Sequence, residues 1–155
     1  MDRSSAAFAD LCSRFAVDAK VFAAIVTVES QWRPLAFRYE PGFYYTVKVE
    51  EHSLANNVNQ ASERILQKSS FGLAQIMGGT ARDLGYRGPL PALFEAEKSV
   101  EWGLRWYASV AKRYAMLRTA VTDAIAAYNA GTAKRDIGGT YLNQAYVDKV
   151  MEAMK

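Results

Sequence analysis

Asp18 to Pro34 reads DAKVFAAIVTVESQWRP, and this stretch decides the fold. Asp18 is a candidate N-cap, and a helix is predicted from Ala19 to about Gln31. Its body, VFAAIVTV, is apolar on every side until Glu29. A helix that is apolar all round is buried in the centre of a domain. Pro34 closes it, because proline cannot donate the next helical hydrogen bond. The segment is therefore read as a central spine with one carboxylate near its end. Ile25 and Val26 share the face of Glu29, Phe22 lies one turn further back, and Trp32 follows three residues later.

The neighbouring segments carry the same 3.6-residue signal. Ser4 to Phe15 is a predicted amphipathic helix with Phe8, Leu11, Cys12 and Phe15 on one face. A longer one runs from about Glu95 to Arg113, with Val100, Leu104, Tyr107, Val110 and Ala111 as its core stripe. Thr119 or Thr122 starts the helix containing AIAAYN, which Gly131 stops. The last helix is expected from about Leu142 to Met154. Phe37 to Val49 (FRYEPGFYYTVKV) reads as an aromatic loop with a short strand at Tyr44 to Val49. Glu50 to Lys68 reads mostly as one surface helix, and Glu50 and Glu51 as solvated charges. A further helix starts near Thr80, and Gly85 to Pro91 is a loop. The expected architecture is mainly α, a single domain over residues 1–155.

Composition removes several function classes. The chain has 155 residues, and half of them are hydrophobic, enough to bury a core. The net charge of +3 is mild, and the basic residues are scattered, so no nucleic-acid partner is indicated. Cys12 is the only cysteine and His52 the only histidine. A zinc site built from several such ligands is excluded, and Cys12 reads as a small buried residue. No cofactor is called for. A Ser-His-Asp triad would have to rest on His52, and no nucleophile-elbow sequence supports one. No segment approaches the roughly 20 apolar residues that span a bilayer. The N-terminus, MDRSSAAFADLC, lacks the basic start and apolar run of a signal peptide.

Glu29 has two readings on the helix pattern alone. It sits at the helix end and reaches solvent, or apolar walls disfavour its ionised form and make it a proton donor. Within the helix, no Lys or Arg lies three or four residues before it to offset burial. The motifs around it separate the two. Glu29-Ser30-Gln31-Trp32-Arg33-Pro34, then Gly72-Leu73-Ala74-Gln75-Ile76-Met77 with Gly79-Thr80-Ala81, then Ala126-Ala127-Tyr128-Asn129-Ala130-Gly131 occur in that order. A weaker fourth match is Tyr146-Val147-Asp148-Lys149-Val150. Together they resemble the catalytic domain of the soluble-lytic-transglycosylase, goose-lysozyme-like family, from roughly Val21 to Val150.

That resemblance implies a lysozyme-like α-helical fold with a saccharide cleft. It implies cleavage of the β-1,4 bond between N-acetylmuramic acid and N-acetylglucosamine in peptidoglycan, with a 1,6-anhydro ring left on the muramic acid. Glu29 matches the catalytic glutamate. Gln75 and Met77 would line the cleft, and Tyr128 would set its hydroxyl near Glu29. Asn129 would hydrogen-bond the surrounding structure, and Tyr146 would approach the cleft. A monomer acting on glycan strands in the cell wall or periplasm is expected. The setting is either a phage lysis or virion protein or a bacterial periplasmic enzyme.

The chain departs from the family in two places. Glu29 and Gln75 stand 46 positions apart, so a stretch of roughly Phe37 to Ser69 is an insert. It is either a lid or substrate-binding element or a surface elaboration. It carries the aromatics Phe37, Tyr39, Phe43, Tyr44 and Tyr45, and also Glu40. In the cleft, Glu40 could activate a water and make the enzyme an inverting hydrolase, with carboxylates roughly 6.5–9.5 Å apart. Otherwise it pairs with Arg38 or another base and fixes the loop. Ala74 stands where the family usually has methionine, a change expected to alter packing alone. A third reading is a non-catalytic glycan-binding component of a phage or secretion machine.

Overall fold

The computed structural model describes residues 1–155. The predicted spine is helix α2, Ala19–Ser30. The Asp18 carboxylate accepts from the Lys20 amide at 2.7 Å, which caps its N-terminus. Gln31 and Trp32 both take left-handed backbone angles, φ 53° and 61°, and end the helix before Pro34 is reached. The Trp32 indole then turns back to donate to the Thr27 hydroxyl at 2.9 Å.

Around α2 pack α1 (Ala6–Arg14), α6 (Ala96–Tyr114), α7 (Ala120–Ala130) and α8 (Gln144–Ala153). Phe22, Ile25, Leu104, Ile125 and Val150 are fully buried where these helices meet. Cys12 lies in this core, and burial pushes its thiol up to about 11, so it is inert at neutral pH. Close packing of α6 on α2 depends on Gly103. A Cβ there would stand 2.4 Å from the Ala74 Cβ and 2.9 Å from the Phe22 ring. Thr119 occupies the N-cap position of α7, but its hydroxyl goes to Asp123 rather than to the helix amides. Gly131 stops α7 at φ 78°.

A three-stranded antiparallel sheet stands beside the helices, in the order β1 (Phe37–Tyr39), β2 (Ser69–Phe71), β3 (Ile76–Met77). Its register pairs Phe37 with Phe71 and Phe71 with Ile76, and pairs Arg38 with Ser70 and Ser70 with Met77. Directly paired residues share a face, so the sheet has two rows of opposite character. Phe37, Phe71 and Ile76 face a second apolar cluster with Leu90, Leu93 and Phe94. Arg38, Ser70 and Met77 face the other way.

The insert differs from its sequence reading in two respects. No strand forms at Tyr44 to Val49; the strand is Phe37–Tyr39. The β-branched alternation there finds no neighbouring strand. Instead the buried Gln67 amide bonds both backbone groups of Val47, accepting from its N–H at 2.6 Å and donating to its C=O at 2.9 Å. Residues Glu50 to Lys68 form two helices, α3 (Val49–Ala55) and α4 (Gln60–Gln67), broken by Asn57 at φ 53°. They are not a plain surface element, since His52, Ser53, Glu63 and Gln67 are buried. Glu63 receives the Arg82 guanidinium of α5 (Gly78–Asp83) through two hydrogen bonds. Glu51 does stay exposed, where it pairs with Lys48 and Arg87.

Candidate active site

Glu29 stands in the last turn of α2, half-buried, at the base of a cleft of about 620 Å³. The insert forms one side of this cleft with Arg38, Glu40, Phe43, Tyr44 and Tyr45. Gln75 and Met77 come from the β2–β3 turn and β3, and Asn129 to Gly131 from the end of α7. Arg38 and Met77, 39 positions apart in sequence, thus line one cleft with Glu29 because the sheet carries β1 beside β2 and β3. The insert is a cleft wall. It is anchored by the Tyr45 hydroxyl on Asp83, at 2.9 Å, and by the bridge from the buried Gln67 to Val47.

The apolar surroundings of α2 act on Glu29 as the spine pattern suggested they could. Burial raises its pKa above the ordinary carboxylate value, because the charged form loses water. A hydrogen bond from Tyr146 and the positive charge of Arg38 oppose this without cancelling it. The Tyr146 hydroxyl of α8 donates to Glu29 Oε1 at 2.6 Å. Burial and the neighbouring carboxylate hold that hydroxyl proton far above its usual range, so Tyr146 remains a neutral donor. Its bond to Oε1 fixes the carboxyl and leaves Oε2 for a ligand.

The hydroxyl that hydrogen-bonds Glu29 is that of Tyr146, while Tyr128 stands near enough for the Glu29 charge to act on it. Tyr128 lines the cleft, but its hydroxyl donates to the Ala74 carbonyl at 2.7 Å and ties α7 to the β2–β3 turn. Both tyrosines stand in matched motifs, and sequence spacing alone does not say which hydroxyl arrives. Gln75 has φ 49°, and its amide is spent on structure. It donates to Ala36 O and Gly72 O, both at 2.9 Å, and accepts from the Ser70 hydroxyl at 2.8 Å. Asn129 accepts from the Asn143 amide at 3.0 Å, linking α7 to the start of α8. Met77 lines the cleft with its thioether chain. Glu40 also lines it and forms an ion pair with Arg38. Arg38 itself was missed as a site residue. Its signal was the period-2 alternation of Phe37-Arg38-Tyr39-Glu40, which sends 38 and 40 to the face opposite Phe37.

Replacing Tyr146 by Phe removes the donor that stabilises ionised Glu29, so the Glu29 pKa moves further up. Hydrogen bonds to charged groups contribute about 1.5–3 kcal/mol, which corresponds to a roughly 10–100-fold loss of kcat/KM. The high-pH limb of the kcat/KM profile should shift to higher pH in the same variant. A Tyr128→Phe variant should leave that limb in place.

Such a molecule is a mainly α, lysozyme-like domain with a carboxyl group buried at the base of a cleft. The chain matches the family model described as the transglycosylase SLT domain over residues 7–146, and it belongs to that family. Membership places it among the peptidoglycan-degrading, glycan-cleaving enzymes. No curated protein and no solved structure gives a significant match to it. No helix is long and apolar enough to cross a membrane.

Proposed function

We propose that the chain is a peptidoglycan lytic transglycosylase that cuts the β-1,4 bond between N-acetylmuramic acid and N-acetylglucosamine. The observation that carries this reading is the half-buried carboxyl of Glu29 in the cleft, held through one oxygen by Tyr146 and with its pKa raised by burial. Protonated Glu29 gives its proton to the glycosidic oxygen as the C1–O bond breaks, and the N-acetylglucosamine leaves with a free hydroxyl. The N-acetyl oxygen of the muramic acid stabilises the cationic C1. Glu29, now a carboxylate, takes the proton of the C6 hydroxyl while O6 bonds to C1 and closes the 1,6-anhydro ring. The carboxyl ends protonated, ready for another cut, and water takes no part.

The hydrolytic alternative gives Glu40 the task of activating water. Its place in the cleft wall favours that reading, but its ion pair with Arg38 weighs against it. A carboxylate already paired with a guanidinium has fewer lone pairs free to receive a water. Phe43, Tyr44 and Tyr45 are proposed to stack on sugar faces, and Met77 to pack against the sugar beside Glu29. The working unit is proposed to be one domain and a monomer, acting on glycan strands in the cell wall. Mass spectrometry of digested sacculi tests the reaction. The expected muropeptides carry no added water at each cut, and a gain of one water per cut would establish hydrolysis instead.

A further inference from the structure

We infer that Arg38 is a positioning residue that sets the working pH of Glu29, and that Glu40 acts on the reaction only through Arg38. This rests on Glu29 being the acid/base of the proposed function, and it assigns the insert a part in the chemistry beyond shaping the cleft.

The sheet sets the geometry. Pairing of Arg38 with Ser70 and of Ser70 with Met77 puts Arg38 in the row that faces the cleft. Glu40 has the same parity, and its backbone is pinned by a 2.8 Å bond from its N–H to Lys68 O. Arg38 is the only cationic side chain lining the cleft. Its side chain is 64 % exposed, so nothing in its packing holds it there. What holds it is the Glu40 carboxylate, itself only 37 % exposed. A long exposed arginine without that partner would spread over many rotamers and leave the cleft.

The titratable groups around Glu29 are few. Tyr146 of α8 and Tyr128 of α7 are neutral, while Arg38 and Glu40 come from β1 and the residue after it. Asp83 of α5 also lines the cleft and is tied to Tyr45. From the β2–β3 turn, β3 and α6 come Gln75, Ile76, Met77 and Trp106, none of them charged. Arg38 is the one cation that shares the cleft with Glu29, and a positive charge there opposes the effect of burial on the carboxyl. Burial favours the protonated form, whereas the second step uses Glu29 as a base. A cation held nearby, outside hydrogen-bond contact, moderates this without engaging the carboxylate.

The test is the pH profile of kcat/KM for the parent, Arg38→Gln, Arg38→Lys, Glu40→Gln and the double Arg38→Gln/Glu40→Gln variant, with Glu29→Gln alongside. A single charge acting across a wet cleft shifts a pKa by roughly half a unit. Arg38→Gln should move the high-pH limb up by about that amount, and Arg38→Lys should restore most of it. Glu40→Gln should move it the same way, by less, and should add nothing in the Arg38→Gln background. The difference between parent and Arg38→Gln should shrink in 1 M salt, where the screening length falls to about 3 Å. An unmoved limb in Arg38→Gln, or a rise in KM alone, overturns the inference and makes Arg38 a substrate contact. A Glu40→Gln effect that persists without Arg38 overturns it too. An active Glu29→Gln variant would instead overturn the acid/base reading, so the two failures are distinguishable.

Discussion

Glu29→Gln is expected to lose turnover of peptidoglycan by roughly a thousandfold, within the range that general acid–base groups contribute. The loss is expected in kcat, because an amide of the same shape fills the same space. Glutamine can still accept the Tyr146 hydroxyl, so the cleft keeps its geometry and KM should change little. The fold should not suffer either. The folded-state pKa of Glu29 is raised, so the native protein binds more protons than the unfolded chain between the two values. Stability contributed by the neutral carboxyl is therefore full below the unfolded pKa and falls as pH rises through that window. Glutamine never ionises, and the variant should be as stable as the parent at about pH 4 and no less stable at about pH 8. Thermal melts at both pH values check this. Loss of activity together with a lower melting temperature at pH 8 would mean that the carboxylate is structural.

Arg82→Met should give the largest change in stability. The Arg82 and Glu63 side chains are 0 % and 1 % exposed. Arg82 Nε donates to Oε1 at 2.9 Å and Nη2 to Oε2 at 3.2 Å, while Nη1 reaches the carbonyls of Tyr86 and Gly88. Gln67 adds a 2.9 Å bond to Glu63 Oε1 and in turn holds Val47 of the cleft wall. Removing the guanidinium leaves the buried Glu63 carboxylate with Gln67 as its remaining donor and takes a donor from the carbonyls of Tyr86 and the part-buried Gly88. Breaking a buried pair in this way costs about 3–5 kcal/mol. For a chain of this size that lowers the melting temperature by roughly 10 °C. The double variant Glu63→Leu/Arg82→Met should recover much of the loss, because no lone charge remains. A single variant within about 1 kcal/mol of the parent would show that water reaches this site freely. Hydrogen exchange should place the first loosening in α4, α5 and the Tyr44 to Val49 wall.

How far the residues spoke for themselves depends on the distance over which each signal acts. The stripe Val100, Leu104, Tyr107, Val110 and the apolar run of α2 are local patterns, and they mark buried helices correctly. The left-handed stop at Gly131 is equally local. Tyr44 to Val49 has the alternation of a strand, but a strand needs a neighbour, and the Gln67 side chain took that place from another helix. Polarity marked Glu50 to Lys68 as surface, because nothing in the sequence tells that Glu63 finds Arg82 in the interior. In the cleft, the motifs pointed to Glu29, Met77 and Tyr128, and the fourth to Tyr146, but not to the bond between Tyr146 and Glu29, which spans 117 positions. Arg38 reaches the cleft through the register of β1 on β2, which three residues of strand are too short to announce.

The central claim is that burial makes Glu29 a carboxyl that keeps its proton at the pH where it works. Titration of the Glu29 side-chain carboxyl by carbon-13 NMR, assigned by its absence in Glu29→Gln, measures this directly. A midpoint above the ordinary glutamate value of about 4.3 is the expected result. A midpoint at or below that value would contradict the account, because Glu29 would then be an ordinary solvated carboxylate with no proton to give.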